Sequence, residues 1–209
     1  MKRALHLLLA TLLLGACTST NPDADTATTA APAANASTEP GRTEVLGAYD
    51  PGTATETPAT TAAALAGFND AEFLLTTASS NQLEIMLGQL AAQQAEDAAV
   101  KQFGQMMAEH HTQASQELSS LAAQLDVKPS VAIMPMHQQL IDRLQNKTGR
   151  AFDERYMDVM ETAHKLDIVM FEAKEKRADN PAVQAFAAKS LPMLRTHLER
   201  ANALEKEVD

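Results

Sequence analysis

The sequence predicts an all-α protein built on a four-helix bundle, and three observations predict it. Trp is absent, Tyr occurs twice and Phe six times, while Ala, Leu, Gln and Glu abound, a balance that favours helix over sheet. From Phe68 onward the apolar residues recur in alternating steps of three and four, the spacing of one helix face. Caps and breakers divide that stretch into four long helical segments. The 209 residues carry a formal charge of −10, which excludes a nucleic-acid partner, because phosphate binding needs concentrated Lys and Arg. A single Cys excludes an intramolecular disulfide.

Residues 1–16 read as a targeting segment. Lys2 and Arg3 supply its positive start, and Leu5 to Leu14 an apolar run too short to span a bilayer permanently. Leu14-Gly15-Ala16-Cys17 resembles a bacterial lipobox, which implies cleavage before Cys17 and lipidation of that residue. Three acyl chains, at roughly 0.8 kcal/mol per buried CH₂, would hold the chain firmly on a membrane. Thr18, not Asp, follows the cysteine, which by the usual sorting tendency implies an outer-membrane location facing the periplasm. Residues 17–67 are Ala-, Thr- and Pro-rich and read as a disordered tether. Losing Lys2 and Arg3 would leave a mature charge of −12, so the acidic domain should stand off an anionic membrane surface.

The helical domain is expected over 68–209. Asn69 with Glu72 three residues later makes an N-cap signature for a first helix that ends near Gln94. Asp97 caps a second helix that stops before Pro129, with Val100, Phe103, Met107, Ala114, Leu118, Leu121 and Leu125 on one stripe. A short amphipathic helix carrying Leu140, Ile141 and Leu144 follows Pro135 and ends at Gly149. This connection is long enough for a crossover along the bundle or for a simple cap. A third helix spans about Arg150 to Ala178, with Phe152, Tyr156, Val159, Ala163, Leu166 and Met170 inward. Asn180-Pro181 opens the fourth, which runs to about Glu207.

Four polar residues interrupt the apolar stripes: Glu84, His110, His164 and His197, one from each long helix. At about 1.5 Å per residue, Glu84 and His110 lie at levels roughly 3 Å apart, and His164 and His197 match as closely, all near mid-bundle. Three neutral imidazoles and one carboxylate suit one transition-metal ion, Zn, Fe, Mn or Cu. The alternative is a Glu–His hydrogen-bonded network that only fixes helix register. Glu161, three residues before His164, is a further candidate ligand, but Met107 and Leu194 stand where a standard di-iron centre would need carboxylates. His111 turns about 100° from His110 and is expected at the surface or an interface, and His137 on the connection has no assigned role. Every Met beyond Met1 falls after residue 85, fitting either core filling or soft copper ligation. No Ser–His–Asp set, phosphate loop or Cys pair points to catalysis.

Glu84-Ile85, Leu87-Gly88-Gln89-Leu90, Val100-Lys101-Gln102-Phe103, Met107-Ala108-Glu109-His110, Gly149, Phe152-Asp153, Tyr156-Met157, His164, Phe171-Glu172, Phe186-Ala187, Leu191-Pro192 and His197-Leu198 together resemble the bacterial family labelled domain of unknown function 4142. The resemblance covers Phe68 to Leu204. It implies a ferritin-like four-helix bundle, frequent in secreted or membrane-attached proteins, leaves the activity open, and carries Glu84, His110, His164 and His197 over as the site. Pro192 fits the family pattern and should kink the last helix. Three functions are then in play. The first is a metal-binding envelope lipoprotein acting in metal or oxidative stress. The second is a structural or interaction lipoprotein with no bound ion. The third is a metal-dependent oxidoreductase acting on peroxide or a similar small oxidant.

Overall fold

The structure, a computed structural model, describes residues 58–208, so the predicted targeting segment, Cys17 and most of the predicted tether fall outside the described residues. The described residues form six helices and no strand: α1 (Pro58–Ala66), α2 (Asp70–Gln94), α3 (Ala98–Gln124), α4 (Pro135–Asp142), α5 (Arg150–Arg177) and α6 (Pro181–Val208). The four long helices are those expected from the sequence, and α4 is the expected short one.

The helix ends follow from their caps. Asn69 Oδ1 accepts from Glu72 N–H at 2.9 Å, and Glu72 Oε2 accepts from Asn69 N–H at 2.8 Å, a complete capping box. Asp97 Oδ1 accepts from the N–H groups of Ala99 and Val100. Asn180 Oδ1 accepts from Ala182 N–H at 2.8 Å, with Pro181 in the first turn. Gly149, at φ 58, supplies the left-handed turn that opens α5. Helix α6 continues through Pro192 to Val208.

Helix α1 corrects the expected tether, which ran to residue 67. Pro58 sits at its first position, where a proline starts a helix instead of breaking one, and the Ala run that follows propagates it. Leu65 is buried and belongs to an apolar cluster with residues of α2, α3, α5 and α6, and α1 itself lies chiefly against α5.

Helices α2 and α3 form one antiparallel hairpin and α5 and α6 another. Cross-pairs such as Ser80–Asp167 and Glu117–Lys189 run in opposite chain directions, so α2 lies antiparallel to α5 and α3 to α6. The connection over 125–149 therefore crosses the length of the bundle, as in ferritin-like folds. It is tied down at α4, where Ser79 Oγ accepts from Met134 N–H at 2.8 Å and lies 2.7 Å from His137 Nδ1. His137 thus has a structural role, anchoring the crossover to α2.

Two apolar clusters fill the bundle. One, with Leu87, Phe103, Phe152, Tyr156 and Met160, occupies the end where α2 meets α3. The other, with Phe73, Leu118, Phe171, Phe186 and Leu191, fills the end where α5 meets α6. Met107, Met157, Met160 and Met170 are fully packed, as expected of core filling. Between the two clusters lies a layer of buried polar side chains.

Candidate metal centre

The hairpin of α2 and α3 closes at Gly88 and Gly104. A Cβ on Gly88 would sit 2.6 Å from Gly104 O, so only glycine allows this approach. Two turns from that contact, toward the bundle middle, lie Asn81 on α2 and His111 on α3. His111 Nδ1 donates to Asn81 Oδ1 at 2.9 Å, and Glu84 Oε2 lies 2.8 Å from the same nitrogen. The close backbone contact therefore turns His111 inward, with no exposed surface.

The other walls bring two further imidazoles. His164 of α5 donates Nδ1–H to Met160 O at 2.8 Å, which leaves the Nε2 lone pair free on a neutral ring. His197 of α6 presents Nδ1 to His164 Nε2 at 3.2 Å and to His111 Nε2 at 3.3 Å. One nitrogen from each ring thus faces a common point, all within 4.8 Å of one another, and the three residues form a group that can hold a metal ion. Metal–nitrogen bonds of about 2.0–2.1 Å at tetrahedral to trigonal angles place ligand nitrogens about 3.3–3.6 Å apart. The two spacings to His197, 3.2 and 3.3 Å, are close to that.

Each nitrogen on the far side of these rings is held. Asn81 and Glu84 back His111, the Met160 carbonyl backs His164, and His110 Nδ1 lies 2.8 Å from His197 Nε2. Such partners orient ligand rings and set their tautomers. Burial lowers the pKa of all three histidines, to about 4 for His111 and about 2 for His197. For His197 the neighbouring imidazoles and Arg200 add to the effect. Neutral imidazole is the metal-ligating form, and these rings hold it across the physiological range.

A carboxyl layer borders the rings. Burial pushes Glu84 up to about 7, with His164 pulling the other way. Neither Glu84 oxygen has an aligned hydrogen-bond donor, although His164 Nε2 lies 3.4 Å from Oε1. Asp167 accepts from Ser80 Oγ at 2.8 Å and is raised well above the usual carboxylate range by burial and then by Glu84. The Tyr156 hydroxyl is buried without a partner, and burial and the Glu84 charge both raise its pKa.

Glu84, His164 and His197 are brought together as expected, but two expected residues are not. The ring that α3 turns inward is His111, not His110. His110 is half-buried and stacks on His197 with centroids 5.1 Å apart and planes at 17°. Glu161 points away and pairs with Lys165 at 2.7 Å on the outer face of α5. Asn81, Asp167 and Ser80 were not anticipated. The heptad series Gly104–His111–Leu118 could have found His111, and the small polar residues Thr76, Thr77, Ser79, Ser80 and Asn81, which leave α2 without an apolar stripe where it faces the site, could have found Ser80 and Asn81; no local signal marks Asp167.

The family model described as Domain of unknown function (DUF4142) matches residues 54–204. The chain belongs to this family. The matched region begins ahead of residue 68, in keeping with the early start of α1. The fold is similar to a solved structure of CopM in the Cu(II)-bound form, with a TM-score of 0.58 and 15% identity. The likeness covers 67% of this chain and 97% of that one, and at this identity it is a likeness of fold. No curated protein sequence matches the chain.

Proposed function

We propose that the protein is a lipid-anchored envelope protein whose helical bundle binds one transition-metal ion through His111, His164 and His197, with copper the first candidate. The carrying observation is the convergence of three neutral imidazole nitrogens, each backed by a hydrogen-bonding partner. The buried Glu84 carboxyl, lacking aligned donors, supports the reading, because a cation beside it would offset its charge. Copper stands first because nitrogen sites bind Cu²⁺ most tightly among divalent first-row ions. The fold shared with CopM, which was solved holding Cu(II), adds support. In this reading the protein acts by sequestering metal during metal or oxidative stress, and Cys17 places it on the periplasmic side of the outer membrane.

Elemental analysis of protein purified without a metal-affinity tag, before and after copper or zinc loading, tests the site. The expected result is one ion per chain in the wild type, lost in His111→Ala and His164→Ala and retained in Glu161→Ala. An ion-free wild type after loading would leave a purely structural Glu–His network. Full occupancy in both histidine variants would place the ion elsewhere. Cell fractionation tests the anchor: Cys17→Ala should move the protein from the membrane to the soluble fraction, and retention on the membrane would refute it.

A further inference from the structure

The inner nitrogens are buried, so an ion needs a route to them, and one of the three rings leads outward. His197 turns Nδ1 to His111 and His164 and Nε2 to His110 Nδ1. The far nitrogens of His111 and His164 instead end inside the bundle, on Asn81 and on the Met160 carbonyl. His110 lines a surface cleft between α3 and α6, together with Met193, Glu117 and Lys189. Lys189 Nζ lies 2.8 and 2.7 Å from the two Glu117 oxygens, so these charges are spent on each other. Gln113 and Ser190 add only hard oxygen atoms to the lining, so its nitrogen and sulfur donors are the imidazole of His110 and the thioether of Met193. Met193 lies one helical turn before His197, so the two project from the same face of α6.

Resting on the three-histidine reading, we propose that this cleft is the loading port of the site and that it selects copper(I). A thioether is a soft ligand that suits copper(I), whereas zinc(II) gains little from it. His110 and Met193 capture the ion, and it passes to the inner nitrogens as His197 releases His110. The port thereby favours copper(I) in rate over the other ions that three imidazoles would hold.

Stopped-flow uptake of copper(I) and of zinc(II), each supplied from a chromophoric chelator, tests the port in the full chain. His110→Ala and His110→Phe should both slow uptake of either ion ~10-fold or more, the scale on which partners of metal ligands act. Met193→Leu should slow copper(I) and leave zinc(II) unchanged. Faster loading in His110→Ala would make His110 a plug and overturn the proposal, as would unchanged copper(I) rates in Met193→Leu. A wild type that loads normally while the variants match its rate defeats the port alone. A wild type that takes up neither ion defeats the metal site and the port together.

Discussion

Where α2 begins, Lys174 Nζ meets Asp70 Oδ1 at 2.9 Å and Asn180 N–H donates to Asp70 Oδ2 at 2.7 Å. At the opposite end the buried Asp153 carboxylate accepts from the N–H groups of Glu96 and Asp97, fastening α5 to the α2–α3 turn. Both carboxylates are paired or donor-satisfied, and their partners join two elements. In the middle of the bundle the same helices bury Glu84 and the Tyr156 hydroxyl without aligned partners, beside three imidazoles facing one point. The carboxylates that fasten the helix ends are matched to donors within the fold. The Glu84 carboxyl, left unmatched beside the imidazoles, is better explained by something that binds there.

The comparison can be broken most forcefully at the satisfied end. Asp70→Ala leaves the Lys174 ammonium buried without its partner and should destabilise the protein by about 3–5 kcal/mol in chemical denaturation. Metal affinity should stay at the wild-type value, because the pair lies far from the imidazoles. A large loss of affinity would mean that the two layers are coupled.

The anchored crossover offers a second contrast. Burial lowers His137 to about 4 from an ordinary value of 6.5, so the folded state binds fewer protons than the unfolded one between those limits. Its contribution is complete above pH 6.5 and is lost as pH falls toward 4, by up to roughly 3 kcal/mol. His137→Gln should flatten that part of the stability profile of the metal-free protein. An unchanged slope would assign the pH dependence to the central histidines alone.

A smaller effect is expected at the unmatched layer. Glu84→Gln removes an ill-satisfied buried carboxyl, so the metal-free protein should be no less stable at pH 8. Metal affinity, measured by competition with a chelator, should fall ~10–100-fold as His111 loses its carboxylate backing. A marked loss of metal-free stability would show that Glu84 serves the fold and not the ion.

The long helices were legible because their signals are local. Asn69 with Glu72, Asp97 and Asn180-Pro181 each carry their own caps, and the stripes of α3, α5 and α6 keep helical period. Helix α1 was missed because Pro58 reads as a breaker unless its place at a helix start is known. The depth of the polar layer was legible too, since counting residues along a helix measures height. Its rotation was not. Stepping from Met107 by three reaches His110 and by four reaches His111, and both keep the stripe. The choice is made by the contact of Gly88 with Gly104, which sets how α3 rolls against α2 and is a property of two helices together. Asp167 and Ser80 escaped for the same reason, being paired across 87 residues.

The claim that an ion sits among His111, His164 and His197 is tested most directly by X-ray absorption on the copper-loaded protein. The expected spectrum shows multiple scattering from three imidazole rings, a count that falls in His111→Ala and is unchanged in Glu161→Ala. A shell of oxygen ligands alone, or an undiminished imidazole count in His111→Ala, would contradict the assignment.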